Sequence, residues 1–147
     1  MMDAVMLADL HSEGGFAGSW SAGEFEGLLA DRAVLTEVAT DSRKIEMLFG
    51  FVMSRMAADE AEILTIAVSR KWRGKGVGRR LLDVHLSRLA GLGVKTLYLE
   101  VEEDNAVARR LYEKTGFATA GIRKGYYRKA DGRLANALIM KLALENR

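Results

Sequence analysis

A chain of 147 residues with 49% hydrophobic and 29% charged residues has the length and balance of a single domain burying one core, which excludes a second full domain and a disordered chain. It has no cysteine, so disulfides, a thiol nucleophile and cysteine-based zinc or iron-sulfur sites are excluded, and His11 and His85 are too few and too far apart for a His-rich metal site. The net charge of +2 conceals a division: residues 1–60 hold 4 Lys and Arg against 11 Asp and Glu, whereas residues 61–147 hold 18 against 9. The basic part points to an anionic ligand and the acidic part favours a cationic substrate.

No apolar run approaches the ~20 residues of a membrane helix. The opening MMDAVMLADLHSE carries acids where a signal peptide carries bases, so a cytoplasmic protein is expected. Residues 3–11 suit a short helix through Val5, Met6, Leu7 and Leu10, followed by a segment containing Gly14, Gly15 and Gly18. Ser21 and Glu24 form a capping-box pattern ahead of a second helix that buries Phe25, Leu28 and Leu29. Strand signals at 33–39, 45–56 and 63–68, broken by polar residues 40–44 and 57–62, read as an antiparallel meander.

A basic, glycine-rich loop at 69–78 leads into a helix with Leu82, Leu86 and Leu89 at helical spacing, ended by Gly91 and Gly93. Residues 96–101 alternate, with Leu97, Leu99 and Val101 on one face and Thr96, Tyr98 and Glu100 on the other. Asp104 or Asn105 caps the next helix, which buries Ala108, Leu111 and Tyr112 and stops at Gly116. Strands at 117–122 and 134–144, with an Asp131-Gly132 turn between them, close the sheet. The order α-α-β-β-β-α-β-α-β-β makes this an α+β fold: a mixed central sheet flanked by helices.

The loop concentrates chemistry. Arg70, Lys71, Arg73, Lys75, Arg79 and Arg80 place six bases within eleven residues without an acid. Embedded among them is R-x-x-G-x-G, formed by Arg73, Gly76 and Gly78, after a strand and at a helix start. Glycines let successive N–H groups turn toward one point, and the helix N-terminus adds partial positive charge, which suits a pyrophosphate. The spacing matches neither a Rossmann nor a Walker loop. A solvated basic turn and a nucleic-acid patch remain alternatives, although Trp72 is the sole aromatic interleaved there.

Five motifs in order now resemble the GNAT family of acetyl-CoA-dependent N-acetyltransferases: Ile66-Ala67-Val68, Arg73 to Gly78, Leu99-Glu100-Val101, Asn105 with Ala108 and Leu111-Tyr112, and Gly116-Phe117. The similarity runs over residues 3–144. Within the family, Trp20-Ser21 with Phe25, the Leu-Glu-Val run, and Tyr126-Tyr127 with Asp131-Gly132 are most similar to the bacterial branch that acetylates the N-terminal alanine of a ribosomal protein. The resemblance implies a single acetyltransferase domain over 1–147 with a GNAT-type α/β/α sandwich and acetyl-CoA as donor. It further implies that the backbone of Ile66, Ala67 and Val68 pairs with the pantetheine arm, that Arg73, Gly74, Lys75, Gly76, Val77, Gly78 and Arg79 form the pyrophosphate loop, and that Asn105 contacts the cofactor further along.

Acetyl transfer to an amine needs a neutral amine and a proton for the departing thiolate. Without cysteine there is no acetyl-Cys intermediate, so direct transfer is expected. The resemblance implies Glu100 as general base acting through water, and Tyr112, also beside the cofactor, as the acid that protonates the thiolate. Each has a plainer alternative: Glu100 can pair with a nearby base, and Tyr112 can simply pack. Trp20, Glu100, Tyr126 and Tyr127 are the acceptor-binding candidates by resemblance, with core packing the alternative for the aromatics. His85 is expected to be structural, and Glu102-Glu103-Asp104 a solvated turn.

Two departures from the family stand out. Only two residues precede the first helix where the family usually begins with a strand, and Asn136 stands where the family commonly has Asp. The second bears on how the acceptor amine is recognised. The expected activity is transfer to a protein N-terminal α-amine, with a ribosomal protein as partner and neither specific nucleic acid, membrane nor metal involved. A small-amine or broad peptide acetyltransferase, and a non-catalytic CoA- or nucleic-acid-binding module, are the alternatives.

Overall fold

The structure, a computed structural model, describes residues 4–13, 20–41 and 44–144. Among these, α1 (Ala4–Ser12) and α2 (Ala22–Ala30) precede β1 (Val34–Asp41), β2 (Lys44–Ala57) and β3 (Glu60–Val68). A one-turn 3₁₀ helix at Arg70–Trp72 leads to α3 (Val77–Gly91), β4 (Thr96–Glu102), α4 (Ala106–Thr115), β5 (Ala118–Arg128) and β6 (Leu134–Ala143). The order is the one expected from the sequence. Gly14, Gly15 and Gly18 lie outside the described residues.

Local signals act as expected at the helix ends. Ser21 Oγ accepts the Glu24 N–H at 3.2 Å to start α2, and Asn105 rather than Asp104 caps α4, accepting the Ala108 N–H at 3.1 Å. Gly116 ends α4 at φ 115°, a conformation only glycine adopts without strain.

Two boundaries depart from the sequence reading. The turn between β2 and β3 is only Ala58 and Asp59, with Ala58 at φ 55°, so β3 begins at Glu60 rather than Ile63. Glu60 and Glu62 belong to the strand but are exposed, which hides them from a hydrophobic pattern. β5 runs on to Arg128 instead of stopping at Ile122, because a bulge absorbs Lys124 to Tyr126 without ending the pairing.

The six strands lie in the order β1-β2-β3-β4-β6-β5. All neighbours are antiparallel except β3 and β4, whose parallel pairing covers only Glu60–Glu62 against Thr96–Tyr98. A register shift opposite Met53 and Ser54 leaves Leu64 unmatched, and a bulge of this kind bends its strand. Beyond that point β3 and β4 no longer pair, so the sheet opens toward Val68 and Glu102.

One face of the sheet carries α3 and α4. Leu82, Leu86 and Leu89 are completely buried there against Val52, Leu97, Leu99 and Met140, each side chain contributing about 1.5–3 kcal/mol. The other face is covered by α1 and α2, whose Leu7, Leu10 and Phe25 pack on Phe51, Met53 and Ala67. Those two helices leave the β4–β6–β5 part of this face bare, with Tyr98, Glu100 and Ile139 only half-buried.

Candidate active site

Val68 ends β3 where the sheet has opened, and the basic loop follows directly. Gly74 and Gly76 take φ 74° and 83°, and a Cβ on either would meet nothing within 4 Å, so their glycine requirement is conformational and the space beside them is open. Gly76 is the N-cap of α3, leaving the first-turn N–H groups of Val77, Gly78 and Arg79 without helical acceptors. Gly78 has a different reason: a Cβ there would lie 3.3 Å from Leu111 Cδ2 and 3.7 Å from Val68 Cγ2, so α3 starts in close contact with both β3 and α4. The open space beside the two glycines and the first-turn donors of α3 make this loop fit for a phosphate chain.

The loop's cations are not equivalent. Arg73, though exposed, is tied to backbone, donating from Nε to the Val68 carbonyl at 3.1 Å and from Nη2 to the Glu13 carbonyl at 3.1 Å. It staples the loop to the end of β3. Arg79 pairs with Asp83 at 3.4 Å and Lys75 lies 5.1 Å from the Trp72 ring centroid, both exposed beside the cradle. Ile66, Ala67 and Val68 pair with β2 through Val52, Phe51 and Gly50. Their opposite edge faces the opening, where an extended amide-bearing chain can add as a strand. Gly50, not singled out in the sequence, permits the β2–β3 approach, since a Cβ would sit 2.9 Å from the Ala67 carbonyl oxygen.

On the bare face of the sheet, Glu100 is paired with Arg123, Nη1 to Oε1 at 3.2 Å. Arg55, Glu60, Glu62, Tyr98 and Arg123 line with it a shallow groove of about 320 Å³. Tyr126 and Tyr127 stand edge to face at 5.3 Å, and the Arg123 guanidinium lies 5.1 Å from the Tyr126 ring centroid. Burial raises the Tyr127 phenol pKa, with the Glu100 carboxylate adding to it, and its pairing opposite Ala135 puts the ring on the same sheet face as Glu100. The sequence reading missed Arg123 because nothing in its neighbourhood marks it out. Only the β5 register brings it across β6 to Glu100.

Tyr112 sits on the opposite side, in the α4 core, at 6% exposure and edge to face with Phe117 at 5.8 Å. Burial pushes its phenol far above the ordinary value, and Tyr127 adds to the shift. It therefore keeps its proton throughout the neutral range. Glu100 lies two residues beyond the last β3–β4 pair, Glu62 with Tyr98, on the bare face of the sheet, and Tyr112 belongs to the core under the opposite face.

Trp20 is half-buried, stacked on His11 at 4.9 Å and tilted against Phe25 at 5.6 Å. It also borders a second shallow pocket with Glu24, Gly27, Leu28, Arg55 and Leu64, so packing and lining roles coexist. The acidic turn is not freely solvated: Lys129 Nζ bridges Asp104 and Glu102.

Ser54 Oγ lies 2.6 Å from His85 Nε2, and His85 Nδ1 lies 3.2 Å from Glu37 Oε1. This resembles a hydrolytic relay in connectivity, but Ser54 and His85 have no exposed surface, and a nucleophile needs access. It is a core network, as the mid-helix position of His85 suggested. No group of three or more potential metal ligands occurs among the described residues, and no helix among them is long and apolar enough to cross a membrane.

Comparison with known proteins gives this geometry a family. The model of the acetyltransferase (GNAT) family matches residues 15–117. The ribosomal protein bS18-alanine N-acetyltransferase of Salmonella typhimurium is 37% identical over 125 residues, covering 85% of this chain and 81% of its own. Its namesake from Haemophilus influenzae is 37% identical over 121 residues, covering 82% and 80%. The crystal structure of the Escherichia coli ribosomal-protein-S18-alanine N-acetyltransferase superposes with a TM-score of 0.85 at 33% identity, covering all of this chain and 92% of that one. The chain belongs to the acetyltransferase (GNAT) family and is an acetyl-CoA-dependent N-acetyltransferase.

Proposed function

We propose that this enzyme acetylates the N-terminal α-amine of a protein, with the N-terminal alanine of a small-subunit ribosomal protein as its acceptor, in the cytoplasm. The observation that carries the reading is the parting of β3 and β4 beyond Glu62 and Tyr98, which leaves the Ile66–Val68 edge open ahead of the glycine loop and puts the Arg123-paired Glu100 just past the last paired residues. The names borne by the relatives of similar length supply the acceptor class.

Acetyl-CoA supplies the thioester carbonyl that the amine attacks. Its pantetheine amides pair with the free edge of Ile66 to Val68, and the N–H groups of Gly74 to Arg79 take the pyrophosphate. Lys75 and Arg79 add charge, while Arg73 holds the loop in shape. Asn105 offers its side-chain N–H₂ to the cofactor, since its carbonyl oxygen is committed to the Ala108 N–H. Glu100 takes the proton of the amine through water. Tyr112 gives its phenolic proton to the sulfur as the C–S bond breaks, and regains one from solvent afterwards.

The acceptor chain lies along the bare sheet face between Trp20 and the Tyr126-Tyr127 pair. An α-amine suits a modest base better than a lysine does, because its pKa of ~8 against ~10.4 leaves far more neutral amine at pH 7. The test is incubation with acetyl-CoA and a mixture of an alanine-terminated ribosomal peptide, the same peptide with a blocked terminus, and polyamines, read by mass spectrometry. The free-terminus peptide is expected to gain one acetyl group ahead of the others. Preferential labelling of the polyamines would overturn the acceptor assignment.

A further inference from the structure

β5 carries more residues than its partner strand across one stretch. Arg123 pairs with Ala137 and Tyr127 with Ala135, so Lys124, Gly125 and Tyr126 lie opposite Asn136 alone. At the centre of the bulge Gly125 takes φ 62°, and its N–H donates to Asn136 Oδ1 at 3.0 Å. The Asn136 backbone is tied elsewhere, its carbonyl accepting the Glu103 N–H at 2.8 Å from the turn that leads into α4. One residue therefore joins the α4 side of the site to the β5 side.

The bulge has a calculable effect. Without its two extra residues, position 125 would pair with Ala135, and Tyr127 would move about 7 Å further along the strand at ~3.4 Å per residue. An even-numbered insertion keeps Tyr127 on the same sheet face as Arg123. Tyr127 thus stays on the face of Glu100 while being drawn back toward it. Arg123 is the last regularly paired residue before the bulge and the one that reaches Glu100.

We propose that Asn136 is a positioning residue: by accepting the Gly125 N–H it pins the β5 bulge that sets Tyr126, Tyr127 and Arg123 around Glu100. The proposal rests on the acceptor-side reading of that face given above. It also gives the departure at this position a physical meaning. A side-chain oxygen is what the bulge needs, and Asn and Asp each supply one. Recognition of the acceptor amine does not need to involve position 136.

The test uses Asn136→Ala and Asn136→Asp with three readouts: hydrogen exchange of the Gly125 amide, NMR of the Tyr127 ring, and steady-state kinetics with acetyl-CoA and an alanine-terminated peptide. Asn136→Ala is expected to expose the Gly125 amide to exchange, shift the Tyr127 ring signals, and lower kcat/KM for the peptide about tenfold, the worth of one hydrogen bond. Acetyl-CoA affinity by calorimetry is expected to stay within about twofold. Asn136→Asp is expected to restore all three, which a variant that merely misfolds could not do. Unchanged Gly125 exchange in Asn136→Ala, or peptide kinetics equal to the parent's despite faster exchange, overturns the proposal. If the parent prefers another amine, the acceptor assignment falls alone, and the exchange and ring signals still decide whether Asn136 pins the bulge.

Discussion

Arg123 and Glu100 sit on strands separated by β6, yet their side chains meet at 3.2 Å across it. Glu100 and Arg123 both line the shallow groove on the bare sheet face, where an amine would arrive. Arg123 is half-exposed, so the pair adds no more than about 1 kcal/mol to folding. Arg123→Ala should accordingly unfold in urea within about 1 kcal/mol of the parent, while acetyl transfer falls because Glu100 and Tyr126 lose a shared anchor. A large loss of stability in that variant would show the pair to be structural.

The catalytic pair should divide its labour. Glu100→Gln should lower kcat with acetyl-CoA affinity almost intact, and the deficit should shrink as rising pH supplies neutral amine. Tyr112→Phe keeps the ring packed on Phe117 but removes the proton, so the rate should fall by ~10²- to 10⁴-fold with little loss of folding. Raising the pH should not rescue it. Parallel pH profiles of the two variants and the parent would return both residues to structural roles.

A feature is legible in the sequence where its signal is local. Ser21 with Glu24, the leucines of α3, the alternation of β4 and the glycine loop are patterns within a few residues, and each forms the expected element. Glu60, Glu62 and the bulge at Gly125 are different. Their strand character comes from pairing with distant segments, so the alternation rule stops β5 at Ile122 and starts β3 late. Arg123 was invisible for the same reason, and Asn136 could be flagged as a departure but not understood. Its role needs the register of β5 against β6.

The glycine cradle makes a prediction about phosphate binding. Gly76→Asp places a carboxylate where the helix N-terminus favours anions, at a left-handed φ of 83° that also strains any side chain. Calorimetric affinity for acetyl-CoA should be lost in this variant, and in the parent it should weaken as salt rises. Retained affinity in Gly76→Asp would place the pyrophosphate elsewhere.

The buried Ser54-His85-Glu37 chain makes stability depend on pH. Burial lowers the His85 pKa, with Glu37 opposing it, so the folded state prefers neutral imidazole. The unfolded chain takes up a proton near ~6.5 that the folded chain resists, and stability therefore falls as pH drops below that value. His11 is lowered by burial too and acts in the same direction. Between about pH 7.5 and about pH 5.5 the parent should lose more stability in urea titrations than His85→Gln does. Equal slopes would mean that His85 is protonated in the folded core.

Transfer to an α-amine governed by Glu100 can be read from one reaction. Its most direct measurement is fragment mapping of the acetyl group on one peptide that carries an N-terminal alanine and an internal lysine, after incubation with acetyl-CoA and either the parent or Glu100→Gln. Acetyl is expected on the N-terminal nitrogen with the parent and slowly at the same nitrogen with the variant; acetyl mapped chiefly to the lysine, or equal rates for the two proteins, would refute Glu100-governed α-amine transfer.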